Sequence, residues 1–344
     1  VCSSDLDYRR RNGSGGVGLC AVQSEETGTY ARNLGDEISE RRKDFFGRRK
    51  RIPFQLSFGA LRIYLFGITG RVPEPDSPFG ELIRNQEMRE KLTVIKVGGK
   101  IVEEEATLRQ LLNDFAAIDG HKVLVHGGGR SATKIAAQLG IESKMVNGRR
   151  ITDAETLKVV TMVYGGLVNK NIVAGLQARG VNALGLTGAD MNVIRSVKRP
   201  VKEVDYGFVG DVEQVDATLL SDLIHKGVVP VMAPLTHDGH GNMLNTNADT
   251  IAGETAKALS ALFDVTLVYC FEKKGVLRDE NDDDSVIPQI TRAEFEQYVA
   301  DGVIQGGMIP KLENSFEAIN AGVSEVVITL ASAINNSGGT RIKK

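Results

Sequence analysis

The run Leu92-Thr93-Val94-Ile95-Lys96-Val97 breaks into Gly98-Gly99-Lys100, and Val123-Leu124-Val125 breaks in the same way into His126-Gly127-Gly128-Gly129. A helical pattern follows each turn, over 104–117 and 130–139. Two strands of one sheet therefore end in glycine-rich turns on the same edge, the edge where open α/β sheets bind ligands. Such turns expose backbone N–H groups. The helix that follows adds the positive end of its dipole, so both turns suit anions, phosphate above all. Lys96 adds a full charge beside the first turn. The spacing fits neither a Walker A loop nor a dinucleotide fingerprint.

Outward from these turns, Asn147-Gly148 predicts a β-hairpin around 145–152, because Asn-Gly is the strongest short turn signal. Asp153 predicts the cap of a long helix running to about Ala178. Residues 181–186 read as a buried strand, 191–215 as antiparallel strands at the sheet edge, 217–226 as a helix and 228–232 as a strand. A second run places a strand at 265–271, helices at 291–300 and 308–321, and a strand at 325–329. Strands alternating with helices mean an α/β fold, a mostly parallel sheet with helices on both faces.

The bulk numbers fit a soluble globular chain of 344 residues, 42% hydrophobic and 25% charged. A net charge of −2 gives no global argument for nucleic acid or a membrane surface. No uninterrupted apolar run approaches the roughly 18 residues of a membrane span. Cys2, Cys20 and Cys270 show no metal-type spacing, which fits a reducing cytoplasm.

Residues 1–87 differ in character. They hold no Met, carry basic clusters such as Arg9-Arg10-Arg11 and Arg48-Arg49-Lys50-Arg51, and show weak apolar periodicity outside 54–68. A basic arm for an anionic surface is one reading. A targeting peptide is another, opposed by the scattered acidic residues. The expectation is a non-native or disordered extension before Met88, without function, and a folded domain over 88–344.

Four further segments could carry chemistry. Gly148-Arg149-Arg150 offers a planar fork for a carboxylate, or a solvated surface pair. In Asn245-Thr246-Asn247-Ala248-Asp249, Asn247 reads as a helix cap and Asp249 as a first-turn acid. The alternative has Asn245 on a ligand and Asp249 orienting lysines. Gly306-Gly307-Met308-Ile309-Pro310-Lys311 opens a helix, where a lysine opposes the dipole. That violation makes sense if an anion sits between the lysine and the helix end, and it is the best internal pointer to a site. Phe271-Glu272-Lys273-Lys274-Gly275-Val276-Leu277 leaves a buried strand on the ligand edge, where a nucleotide could lie. His126 reads as structural, and Asp282-Asp283-Asp284 as a solvated loop. No Ser/His/Asp set, nucleophile elbow or Cys–His pair stands out.

The ordered set Lys-Val-Gly-Gly (96–99), Val-His-Gly-Gly-Gly (125–129), Asn-Gly-Arg-Arg-Ile-Thr (147–152), Asn-Thr-Asn-Ala-Asp (245–249), Gly-Met-Ile-Pro-Lys (307–311) and Gly-Thr-Arg-Ile (339–342) resembles the amino acid kinase family. Within it, the set is most similar to members that act on N-acylated glutamate. The likeness covers about 92–342. It implies a three-layer αβα sandwich around a mostly parallel open sheet. About 88–245 would form the acyl-amino-acid-binding and dimerising half, and about 246–344 the ATP-binding half.

The resemblance further implies ATP-dependent phosphorylation of the side-chain carboxylate of N-acetyl-L-glutamate, giving an acyl phosphate and ADP in arginine biosynthesis. N-succinyl-L-glutamate is the alternative acceptor, with Asn169, Lys170 or Arg195 to meet its extra carboxylate. A non-catalytic metabolite sensor on the same fold is the rival from another class. A carboxylate is already nucleophilic, so no base is required, and catalysis reduces to positioning and electrostatics.

By motif match, Lys96 and Lys311 would stabilise the transferring phosphoryl group and Asp249 would hold both ammonium groups. Gly98, Gly99, Gly127 and Gly128 would donate backbone N–H groups to phosphate or substrate carboxylate. Arg150 and Asn245 would fix the other end of the amino acid. ATP would lie along Lys273, Lys274, Gly275, Val276 and Leu277, with Ile304 and Gln305 nearby, and Mg2+ would arrive with it and need no protein cage. In the family the exit loop commonly reads Asp-Val-x-Gly-Val-Leu, where this chain has Glu272-Lys273-Lys274-Gly275-Val276-Leu277. Residues 326–344 lack the longer pattern of arginine-inhibited members, which implies a homodimer without arginine feedback.

Overall fold

The computed structural model describes residues 89–343, apart from 147, 336 and 337. The expectation for 1–87 lies outside the described residues.

The central strand is β1 (Lys91–Val97), flanked by β2 (His121–His126) and β11 (Asp264–Phe271). All three are nearly continuous runs of buried residues, as strands covered on both faces must be. With β5 (Ala183–Leu186), β8 (Val229–Met232), β12 (Gln289–Ile290), β13 (Glu325–Leu330) and β14 (Thr340–Ile342) they form one eight-stranded sheet. Its order is β12-β14-β13-β11-β1-β2-β8-β5. Every pairing is parallel except β13 with β14.

Side chains alternate across a strand, so β1 serves two cores at once. Leu92 and Val94 join the cluster that contains Ile251, Leu312 and Phe316, whereas Ile95 and Val97 join the one that contains Leu111, Phe115, Ile172 and Leu176. The first set comes from helices α7 (Ala248–Leu259) and α9 (Met308–Asn320), the second from α2 (Glu105–Ala116) and α5 (Asn169–Gln177). This is the expected αβα sandwich. No break in the sheet separates the two expected halves, because β1 of the first pairs with β11 of the second over seven residues.

Asp153 caps its helix as predicted, accepting from the Thr156 N–H at 2.8 Å. The helix then departs from α geometry. Between α4 (Ala154–Val160) and α5, residues Thr161–Val168 form a π-helical segment. An 18-residue window of the stretch Ala154–Gln177 has a mean hydropathy of 1.3, long and apolar enough to cross a membrane. The expectation from uninterrupted runs missed it, because Lys158 and Lys170 punctuate the sequence. Val159, Val160, Val163, Ile172 and Leu176 pack into the second core, which makes it a core helix of this fold.

The second correction concerns 191–215. β6 (Ile194–Lys198) and β7 (Gly210–Val215) are antiparallel, but they belong to a separate four-stranded sheet with β9 (Leu235–His237) and β10 (Met243–Asn245). The predicted hairpin is present as β3 (Met145–Val146) and β4 (Arg149–Arg150), with Gly148 at φ 72°, a conformation that favours glycine. The remaining helices are α1 (Gly99–Glu103), α3 (Gly129–Gln138), α6 (Ala217–His225) and α8 (Arg292–Ala300).

Candidate active site

β1 and β2 run in register, with Val97 beside His126, so their glycine turns leave the sheet side by side. The turns touch backbone to backbone. A Cβ on Gly127 would lie 3.0 Å from the Gly99 nitrogen, and one on Gly99 would lie 3.4 Å from the nitrogens of Gly128 and Gly129. Glycine suits this approach, because a side chain at 127 would crowd the facing backbone. One expected donor is corrected here: the Gly127 N–H donates to the Val97 carbonyl at 2.9 Å and is unavailable to a ligand. Gly127 serves close packing. Gly99 and Gly128, at the openings of α1 and α3, have N–H groups with no protein acceptor among the described residues.

His126 is fully buried behind these turns. Its Nδ1 must carry the proton, because it faces the Gly127 carbonyl at 2.7 Å. Its Nε2 then accepts from the Asn169 amide at 3.1 Å. Burial is the main cause that drives its pKa down to about 4, so it is a neutral structural post, as expected.

Lys96 and Asp249 meet across the sheet edge, with Nζ 2.7 Å from Oδ1. In the 245–249 segment the capping role of Asn247 and the pairing of Asp249 with a lysine are compatible. Asn247 caps α7 by accepting from the Asp249 N–H at 2.7 Å, and this fixes the carboxylate against Lys96. Lys311 enters from the first turn of α9. Its Nζ lies 4.0 Å from the centroid of the Phe271 ring, and Lys96 Nζ lies 5.3 Å from the same centroid. Burial, opposed by Asp249 and assisted by Lys96, pushes the Lys311 pKa below that of an ordinary lysine.

Phe271 was not singled out from sequence as a site residue. It follows Cys270, which pairs with Val97, so its place at the mouth of the turns was implicit in the strand register. Tyr269 sends its hydroxyl to the Asp249 carbonyl at 3.4 Å, and burial raises its pKa.

Arg150 is buried and ties the hairpin to α3. It donates to Ser143 Oγ at 2.7 Å, to the Gly129 carbonyl at 2.8 Å and to Thr133 Oγ1 at 2.8 Å. Asn245 donates to Thr152 Oγ1 at 2.9 Å. The hairpin, the second glycine turn and β10 are therefore one hydrogen-bonded unit.

The residues expected to line the nucleotide have partners within the protein. Lys273 and Lys274 are ion-paired with Asp283 at 2.7 Å and Asp284 at 2.5 Å, so the acidic run is a partner of this loop and is not merely solvated. The Val276 N–H donates to Thr340 Oγ1 at 2.8 Å, and Gly275 is required because a Cβ there would lie 2.7 Å from the same oxygen. Val276, Leu277 and Ile304 are buried, and Gln305 turns back to the Gly302 carbonyl. Glu272, also unforeseen as a contact, pairs with Lys100 at 3.3 Å and Arg130 at 3.6 Å, linking α1 to α3 at the ligand edge.

A family model for the amino acid kinase family matches residues 91–330. The chain belongs to the amino acid kinase family. An acetylglutamate kinase from Bacteroides thetaiotaomicron is 95% identical over 257 residues, which is 75% of this chain and all of that protein. One from Bacteroides fragilis is 92% identical over 259 residues, 75% of this chain and 99% of that protein. Among solved structures, smu.665 from Streptococcus mutans superposes with a TM-score of 0.61 at 29% identity, covering 73% of this chain and 98% of the other.

Proposed function

We propose that this amino acid kinase transfers the γ-phosphoryl group of ATP to the side-chain carboxylate of N-acetyl-L-glutamate, giving N-acetylglutamyl 5-phosphate and ADP in arginine biosynthesis. The observation that carries the reading is the cationic pair Lys96 and Lys311, gathered around one phenylalanine ring and one carboxylate beside two open N–H groups. An anionic acceptor must approach an anionic phosphate. Preorganised cations and backbone donors in a partly dry site stabilise that charge without reorganisation.

Lys96 and Lys311 neutralise the transferring group, and Asp249 holds Lys96 aimed at it. Gly99 and Gly128 donate to the phosphates or the acceptor carboxylate. Arg150 and Asn245 shape the acceptor pocket, Arg150 chiefly by holding the hairpin against α3. ATP lies at the exit of β11, with Mg2+ entering as part of the nucleotide substrate. The names of the two Bacteroides proteins support the acetyl group. Two side chains considered for a succinyl carboxylate are already engaged, Lys170 with Asn169 and Gly185, and Arg195 with Glu213.

The test is a hydroxylamine trap for acyl phosphate with Mg-ATP and N-acetylglutamate, N-succinylglutamate, glutamate or aspartate. Signal is expected with N-acetylglutamate. Signal confined to another acid, or none from folded ATP-binding protein, overturns the proposal.

The working unit we propose is a cytoplasmic homodimer that is insensitive to arginine. Met162 and Leu167, exposed on the π-helical segment, are the apolar surface such an assembly would bury. The free, buried thiol of Cys270 suits a reducing compartment.

A further inference from the structure

At the edge of the sheet opposite the glycine turns, three potential metal ligands converge. Glu90 immediately precedes β1, His121 opens β2 and His225 ends α6. Glu90 Oε2 lies 2.8 Å from His121 Nε2 and 3.2 Å from His225 Nε2, and the ligand atoms all fall within 4.8 Å of one another. The geometry points to a site for a first-row divalent cation of the zinc type, built from Glu90, His121 and His225.

Several features hold this set in place. The Glu90 carbonyl accepts from the Asp264 N–H at 3.0 Å, which anchors its backbone to β11. Buried Phe263 stacks on the His225 ring, with centroids 5.3 Å apart, and meets the His121 ring edge-on at 5.7 Å. The rings are therefore packed on a rigid aromatic floor. Ser221 Oγ sits 3.1 Å from His225 Nδ1. A metal-ligating histidine needs such a partner on its other nitrogen, which fixes the tautomer and the ring plane. The serine hydroxyl can donate to Nδ1 when the metal is absent and accept from Nδ1–H when Nε2 binds it.

The spacing also fits. Tetrahedral zinc with bonds of about 2.0–2.1 Å sets its ligand atoms about 3.3 Å apart. The two distances from Glu90, 2.8 and 3.2 Å, lie within about half an ångström of that value, and the two histidine nitrogens fall within 4.8 Å of each other. Two imidazoles and a carboxylate favour zinc and its neighbours over calcium or magnesium, which take oxygen ligands. All three side chains are partly exposed, so the cation has an entry path and water can fill a fourth position. β1 separates the cluster from Lys96 by six residues, or about 20 Å of extended chain. A cation there would staple the beginnings of β1 and β2 to the end of α6 without touching the catalytic groups.

Titration of the purified, tag-free full chain with zinc chloride, followed by calorimetry and by thermal unfolding, tests this. One equivalent should bind and raise Tm. His121→Gln/His225→Gln should lose that equivalent and the Tm shift while keeping kinase turnover, which also shows that the variant is folded. Ser221→Ala should weaken zinc about 10-fold or more by freeing the His225 ring. The proposal is overturned if no equivalent binds, or if the double variant binds zinc as tightly as the parent, which would place the ion on thiols or at the ligand edge.

Discussion

Lys96 and Lys311 arrive from a strand and a helix far apart in the chain, yet their ammonium groups share one ring, 5.3 and 4.0 Å from the centroid of Phe271. Asp249 offsets part of the repulsion between these like charges, and an incoming phosphate can offset the rest. Lys96→Ala and Lys311→Ala should each lower kcat by about 10²–10³-fold with a much smaller change in KM for ATP, as for groups that act chiefly in the transition state. Steady-state kinetics in both substrates checks this. Equal losses in kcat and ATP affinity would instead mark the lysines as binding groups.

The depressed pKa of Lys311 has a signed consequence. Its cationic form is the useful one, so kcat/KM should fall on the alkaline side at a lower pH than an ordinary lysine, near 10.4, would give. Lys311→Arg should move that limb upward, because the guanidinium stays protonated. An unmoved limb would assign it to another group.

His126 should make the fold acid-sensitive. Its ordinary value of 6.5 falls to about 4 in the folded chain, so the unfolded state binds more protons between these values. The associated stability is complete above pH 6.5 and is lost as pH falls towards 4, by about 3 kcal/mol in all. Urea unfolding of the parent and of His126→Asn across that range should show a steeper loss of stability in the parent.

The glycine turns should tolerate methyl groups unequally. At Gly128 the new Cβ meets the Tyr164 ring at 2.9 Å, and the ring can shift; at Gly127 it meets the Gly99 backbone at 3.0 Å, which cannot shift without moving a ligand donor. Gly128→Ala should cost about 1–3 kcal/mol of stability. Gly127→Ala should cost more turnover for a comparable loss of stability. Thermal melts beside kcat measurements separate the two.

Exposed Met162 offers a test of assembly. Met162→Lys should shift the chain from dimer to monomer in light scattering if the π-helical face is the contact. A persisting dimer would move the interface elsewhere.

The alternation of apolar runs with glycine-rich turns made the parallel sheet legible, because strands buried on both faces write themselves as continuous apolar sequence. The Lys96, Asp249 and Lys311 grouping was legible for a different reason. Lysine in the first turn of α9 violates a local electrostatic rule, and such violations collect at sites. The internal pairing of the exit loop was not legible. Lys273 and Lys274 look like phosphate ligands in sequence, and nothing local tells that Asp283 and Asp284 fold back onto them. The four-stranded sheet was missed because its strands are short and one pairing joins segments distant in the chain, such as Arg195 and His237. The role of Phe271 depended on inter-strand register, which a single strand does not reveal.

Strand β14 sits between β13 and β12, and Thr340 accepts from the Val276 N–H while donating to the Ile287 carbonyl at 2.7 Å. The edge of the sheet thus waits for 340–342. While the chain is being synthesised, β12 has no strand to pair with until those residues leave the ribosome. A nascent chain stalled before them would present a loose β12 and an unlatched exit loop, an attractive target for proteases and chaperones.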